Sequence, residues 1–395
     1  MPGVDHYHMI VVGGGIHGVG VAQAAAAAGY RVLLLEQQVL GAGTSSRSSK
    51  LIHGGLRYLE TAQFSLVRES LREREILLRI APELVHRLPF YIPVYAHTRR
   101  RPWQIRAGLS LYAVLAGLGP YTGFQSLPPA RWSQLDGLDT RGLQAVFRYW
   151  DAQTDDAQLT RAVMASAREL GADLACPARF SGAVREAEGF TVSYRSAEGE
   201  QQRHCRTLVN AAGPWVNQVL SRVQPATRQR PVDLVQGTHI LLDAPAPRGA
   251  YYVEAPRDRR AVFVLPWREQ TLVGTTEHVY EGDPAKVAPL PEEIEYLQET
   301  LHRYFPERKG ALCDSFAGLR VLPRARGPAF YRPRETILHR DPRHPGLLSI
   351  YGGKLTAYRA TAEKVLRRLA GVLPPPRPVA RTDRLRLSLN EVTSS

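Results

Sequence analysis

Short apolar runs separated by glycine turns organise the chain from its first residues. Tyr7-His8-Met9-Ile10-Val11-Val12 is the pattern of a buried strand. An Ala-rich stretch over residues 16–28, stopped by Gly29, predicts a helix. Arg31-Val32-Leu33-Leu34-Leu35 predicts a second buried strand, closed by Glu36. Residues 61–79 alternate apolar and charged positions at helical spacing and predict an amphipathic helix packed on the domain that those strands begin. Asp155-Asp156-Ala157-Gln158-Leu159-Thr160 opens a capped helix running to about Leu170. Residues 182–198 read as a hairpin, and 207–216 as strand, glycine turn and helix start, with Pro214 in the first turn. Residues 231–317 read as strand-rich, with strands at 237–242, 261–267 and 271–277. Residues 347–359 form a strand that runs into Gly352-Gly353 and then a helix.

Between the first two strands lies Gly13-x-Gly15-x-x-Gly18. The order strand, glycine turn, helix, strand and acid is that of a dinucleotide-binding unit. Gly13 permits the tight turn, Gly15 lets a pyrophosphate approach, and Gly18 brings helix and strand together. Glu36 receives the ribose hydroxyls. A carboxylate there repels a 2′-phosphate and argues against NADP. The sequence contains no second unit of this kind, so it offers one dinucleotide site.

The run Gly43-Thr44-Ser45-Ser46-Arg47-Ser48-Ser49-Lys50-Leu51-Ile52-His53-Gly54-Gly55-Leu56-Arg57-Tyr58-Leu59-Glu60 follows. Its hydroxyls and glycines let backbone amides approach a pyrophosphate or a flavin ring. His, Arg and Tyr supply groups that handle protons and anions. This run closely resembles the signature of the FAD-dependent glycerol-3-phosphate dehydrogenases, respiratory enzymes of the D-amino-acid-oxidase-like flavoprotein superfamily. The resemblance spans residues 7 to about 370 and favours FAD over NAD. It implies an α/β fold of glutathione-reductase-like FAD type, a Rossmann-like FAD-binding domain interleaved with an antiparallel-sheet substrate domain. By this reading residues 1–80, 150–225 and 318–371 form the FAD-binding domain, and 81–149 and 226–317 the substrate domain.

The same resemblance assigns site residues. Gly13, Gly15, Gly18, Glu36, Thr44, Ser45, Ser46, Ser49 and Lys50 would hold FAD. Ala212, Gly213 and Trp215 resemble the second flavin-contacting motif. Gly352, Gly353, Lys354, Leu355 and Thr356 resemble the closing one, where helix N-terminal amides face the flavin O2 edge. Arg320, after what reads as a glycine turn, would grip the substrate's anionic group and join the catalytic set. Arg57, Tyr58, Thr275, Lys354 and a second arginine, Arg334, would complete substrate binding. A planar guanidinium suits phosphate or carboxylate equally. The chain departs from the family at Ala317-Gly318-Leu319-Arg320-Val321, where Ser-Gly-Val-Arg-Pro is usual, and in the loop 324–332. It also shows no helical C-terminal domain after the proline run 374–378, which reads as a semi-rigid extended segment leading a short polar tail.

Composition changes the picture in two places. The 51 Lys+Arg against 37 Asp+Glu give a formal charge of +14, carried mostly by arginine. Coding bias accounts for much of this, and steering of a phosphorylated substrate or an anionic lipid surface is the competing reading. The cluster Arg99-Arg100-Arg101, then Trp103 and an apolar helix near 102–118, resembles an interfacial anchor, with a buried helix as the alternative. Three scattered cysteines form no metal-ligand pair and no disulfide framework. Without a signal-like segment, a chain of this kind is expected in the cytoplasm, peripheral on the cytoplasmic face of the inner membrane. Nucleic acid is not an expected partner; a homo-oligomer is compatible with the sequence.

Oxidising a secondary alcohol needs a hydride acceptor and a base that is neutral near pH 7. The cofactor supplies the first and a histidine the second. His53 and His239 are the candidate bases. Three functions are therefore weighed: oxidation of glycerol 3-phosphate with electrons passed to a membrane quinone, oxidation of a 2-hydroxy acid or amino acid, and non-catalytic FAD binding.

Overall fold

The computed structural model describes residues 6–117, 119–308, 310–324 and 336–388. Strand β1 (His6–Val12) lies between β2 (Val32–Leu35) and the strand Gly199–Asn210, parallel to both. Leu347–Tyr351 and Asp173–Ala175 extend the parallel array on its two sides. The apolar runs that lack alternation become strands buried on both faces, as parallel sheets require. Helix α1 (Ile16–Ala27) is buried along its length except at His17. It packs on α4 (Asp156–Glu169) and on the helix Tyr358–Leu369. Gly20 is needed there, because a Cβ would come 2.7 Å from the Tyr358 ring.

A hairpin, Arg179–Glu186 and Gly189–Ser196, continues from the outer part of Gly199–Asn210. The second sheet is largely antiparallel. Its centre runs in the order Val232–Asp243, Gln270–Gly274, Ala261–Trp267, Ala250–Glu254, Val85–Tyr95 and Leu143–Thr154. Ala311–Pro323 pairs along the whole of Val232–Asp243. Separate apolar clusters fill the space around each sheet.

Three sequence expectations are corrected here. The boundaries placed at 149/150 and 317/318 fall inside continuous strands of the second sheet, Leu143–Thr154 and Ala311–Pro323. Arg320 therefore projects from a strand and does not follow a turn. Gly318 serves close packing instead, since a Cβ would meet the Arg47 carbonyl at 2.6 Å. The tail is not a free extended segment. Arg377 and Val379 donate main-chain bonds to Ala28 and Ala27, Leu387 donates to Ile80, and the Leu387 side chain is buried in the first core.

The helix α2 (Phe64–Ile80) forms as expected, and α3 (Pro102–Leu115) starts at its proline. Ile105, Leu109, Tyr112 and Ala113 of α3 face inward, while Trp103 and Val114 are 69% and 58% exposed. No helix among the described residues is long and apolar enough to cross a membrane.

Candidate active site

The glycine turn after β1 is built by close approach. Gly13 has φ +108°, and a Cβ at Gly18 would fall 1.8 Å from the Gly13 carbonyl. Gly18 thus packs the turn and does not face the cavity. Glu36 braces the turn, its carboxylate accepting from Gly14 N at 2.7 Å and Gln38 N at 2.8 Å. The Ser45 hydroxyl accepts from Ile16 N in the first turn of α1.

These groups open onto one cavity of about 850 Å³. Its wall runs from Glu36 and Gly13-Gly14-Gly15 past Thr44, Ser45 and Ser49 to Ala212, Gly213 and Trp215. It then reaches Gly352, Gly353, Lys354, Leu355 and Thr356, and it includes His53, Arg57, Tyr58, His239, Thr275 and Arg320. Among the described residues, the only atom near a Cβ added at Gly15 is Ser45 Oγ at 3.1 Å, so a side chain there would enter the cavity. A helix N-terminus beside a side-chain-free groove suits a pyrophosphate. The residues fit FAD.

Besides Gly18, two expected cofactor residues lie elsewhere. Lys50 does not line the cavity; its ammonium is buried, 2.6 Å from Asp156 Oδ1 and 2.6 Å from the Ser46 carbonyl. Asp156 also accepts from Ser48 N and Ser48 Oγ. A buried carboxylate recruits this cation, and lysine carries a structural duty. Ser46 turns its hydroxyl to the Gly43 carbonyl at 3.3 Å and does not line the cavity. Arg334 lies outside the described residues.

Another stretch of the lining shows a joined set of charged and polar groups. Arg320 donates from Nη2 to Thr275 Oγ1 at 3.1 Å and from Nη1 to the Thr276 carbonyl at 3.4 Å. Its Nη1 is 3.6 Å from Glu277 Oε1, and Arg260 Nη1 is 3.6 Å from Glu277 Oε2. Lys354 Nζ sits 3.8 Å from the centre of the Tyr58 ring, and Arg57 lies over the same ring at 5.3 Å.

His239 is buried, stacked on Phe316, with Nε2 2.9 Å from Ser49 Oγ. Burial above all, then the nearby charges of Arg320 and Lys50, holds its pKa well below the ordinary imidazole value. It is neutral at pH 7. His53 packs edge-on to Phe263, and its backbone N–H donates to Thr356 Oγ1 at 3.1 Å. The next residue, Gly54, donates its N–H to the Tyr112 hydroxyl of α3 at 2.9 Å. That hydroxyl is 2.9 Å from Asp151, which pairs with buried Arg74.

Three further residues belong to this region or brace it. His17 lines the cavity from α1, pressed against Gly353, and burial lowers its pKa to about 4. Glu277 stands between Arg260 and Arg320. In the sequence Asp156 marks only a helix start. Only His17 carried a signal, a polar side chain inside the glycine motif.

The family described as FAD dependent oxidoreductase matches residues 8–359. The chain belongs to the FAD-dependent oxidoreductases. Within that family it is 40% identical to a glycerol-3-phosphate dehydrogenase of Pseudomonas aeruginosa over 93% of this chain and 72% of that one. It is 38% identical to a D-erythritol 1-phosphate dehydrogenase of Brucella abortus over 93% and 74%. A solved glycerol-3-phosphate dehydrogenase of Bacillus halodurans complexed with FAD superposes with TM-score 0.77 at 25% identity, covering 98% of this chain and 68% of that one. A glycine oxidase of Geobacillus kaustophilus shares the fold at TM-score 0.72 and 18% identity. These likenesses agree with the expected cofactor FAD and with the two-sheet α/β architecture.

Proposed function

We propose that the chain oxidises the secondary alcohol of glycerol 3-phosphate to dihydroxyacetone phosphate, with electrons passing on to a membrane quinone. The observation that carries this reading is the cationic wall of Arg320, Arg57 and Lys354 in the same cavity as a neutral histidine and the FAD-compatible glycine cradle. When bound, FAD supplies the hydride acceptor. Arg320, fixed by Thr275, Thr276 and Glu277, presents its fork to the phosphate. His239, reached through Ser49 Oγ, takes the hydroxyl proton.

The similar identity to an erythritol-phosphate enzyme supports a second substrate of the same class, a longer phosphorylated polyol. Both substrates share the phosphate grip and differ in chain length. Steady-state assays with a soluble dye should give the larger kcat/KM with glycerol 3-phosphate. A larger value with erythritol 1-phosphate moves the assignment to the second substrate, and turnover of glycine or a 2-hydroxy acid alone ends it.

Delivery to quinone and residence on the cytoplasmic face of the membrane rest on α3. Its outer face presents Trp103, Leu111 and Val114 to solvent. A smaller cavity of about 390 Å³ behind it shares Leu56, Arg57 and Tyr252 with the main one. The arginines contribute less than the sequence implies, because Arg100 pairs with Glu60 and Glu254. Trp103→Ser with Val114→Ser should reduce liposome co-sedimentation and quinone reduction while leaving dye reduction intact. Co-sedimentation at the original level would remove the membrane reading.

A further inference from the structure

Glu293 is a buried carboxylate that no step above employs. It occupies the first turn of the helix Pro291–Tyr304 and is 5% exposed. Its Oε1 accepts from Thr276 Oγ1 at 2.5 Å. Its Oε2 accepts from Thr238 Oγ1 at 2.6 Å, Gln236 Nε2 at 2.5 Å and Leu290 N at 3.2 Å. Every one of these donors is neutral, and among the described residues no cation pairs with it. The helix N-terminus supplies the positive end that a buried carboxylate needs.

The donors are placed where the chemistry is. Thr276 accepts from Thr238 N at 2.8 Å through its hydroxyl, and its carbonyl receives Arg320 Nη1. Thr275, one residue before, holds Arg320 Nη2. Thr238, one residue before His239, is fixed on the strand that carries the neutral imidazole. One carboxylate therefore ties the segment that orients the guanidinium to the strand that orients the base.

We propose that Glu293 is a positioning residue for the oxidation, setting Arg320 through Thr276 and His239 through Thr238. The inference rests on Arg320 gripping the phosphate, as in the function proposed above. It differs from a core-stability role because the network ends on the two groups that meet the substrate. Loss of the acceptor leaves buried hydroxyls unpaired and lets the guanidinium swing, so anion affinity should fall by roughly tenfold or more.

The test compares Glu293→Gln, Thr276→Val and Thr276→Ser in the FAD-loaded protein. Inorganic phosphate affinity is read from the perturbation of the flavin spectrum, alongside kcat/KM with glycerol 3-phosphate. Glu293→Gln and Thr276→Val should each raise the phosphate dissociation constant by about tenfold and lower kcat/KM by at least as much. Thr276→Ser, which keeps the hydroxyl, should stay within about threefold of the original chain. FAD content and melting temperature should change little across the set. Unchanged phosphate affinity in Glu293→Gln and Thr276→Val overturns the proposal, as does a Thr276→Ser variant as impaired as Thr276→Val. If Glu293→Gln does not fold, the Thr276 pair decides alone. Phosphate binding is read without turnover, so glycerol 3-phosphate failing as a substrate while phosphate affinity follows the predicted order would refute the substrate and leave the positioning role standing. Absence of phosphate binding in the original chain would refute both.

Discussion

Lys50→Met separates two roles for a lysine set in a serine-rich, flavin-type motif. In the structure its ammonium is 7% exposed and Asp156 is fully buried, with 2.6 Å between them. Removing the cation leaves a carboxylate with Ser48 and Ala157 as its remaining donors. Breaking a buried pair from one side costs about 3–5 kcal/mol, well above the roughly 0–1 kcal/mol of an exposed pair. Asp156→Asn should cost a similar amount, since it strands the buried ammonium without its counter-charge and sets an amide N–H against Ser48 N. The double variant Lys50→Met/Asp156→Asn should cost less than the sum of the single changes, because neither charge is then stranded. Urea denaturation of the FAD-free protein is the decisive assay, as no cofactor is there to lose. A Lys50→Met apoprotein that unfolds at the original urea midpoint yet fails to retain FAD would refute the structural role and return Lys50 to the cofactor site.

Gly15→Val should leave the apoprotein folded, since an added Cβ meets only Ser45 Oγ, but it should abolish FAD retention by filling the cradle; a yellow, fully loaded variant would contradict the cofactor site. Arg320→Lys keeps the charge and loses the fork that spans Thr275 and Thr276, so KM for glycerol 3-phosphate should rise about 10- to 100-fold with a smaller change in kcat; unchanged kinetics would move the phosphate grip to Arg57. His17 and His239 are held neutral by burial, with pKa values below the unfolded 6.5. Between those values the unfolded chain binds more protons, so the apoprotein is most stable above about pH 6.5. It should lose up to about 1.4 kcal/mol per pH unit for each histidine as the pH falls, for His17 down to about 4. Urea midpoints that do not change between pH 7 and pH 4.5 would contradict that burial.

Local patterns made much of the fold legible. The unbroken apolar runs ending in glycine or an acid located β1 and β2, and Asp155 caps α4 through Gln158 N as its position suggested. The cavity wall from Gly13 to Thr356 was also legible, because glycines that admit a cofactor leave a mark on the chain itself. What stayed hidden depends on contacts distant in sequence. Lys50 and Asp156 are 106 residues apart, so nothing local distinguished a buried ion pair from a cofactor ligand. Gly318 looked like a turn residue because glycine marks both turns and close approaches, and only the neighbouring Arg47 backbone tells them apart. Glu277 and Glu293 sit in unremarkable polar surroundings along the chain, and folding alone brings them to Arg320 and Thr276. The proline run reads as a semi-rigid segment leading a polar tail, and nothing local showed that Ala27 and Ala28 bind it down.

The central claim, that this FAD-dependent oxidoreductase takes a hydride from glycerol 3-phosphate, is tested most directly by mixing the FAD-loaded protein with that substrate in the absence of oxygen. The flavin absorbance should bleach fully at one substrate equivalent or a small excess, and dihydroxyacetone phosphate should appear in equal amount. Flavin that stays oxidised with glycerol 3-phosphate, but bleaches with an amino acid or 2-hydroxy acid, would contradict it.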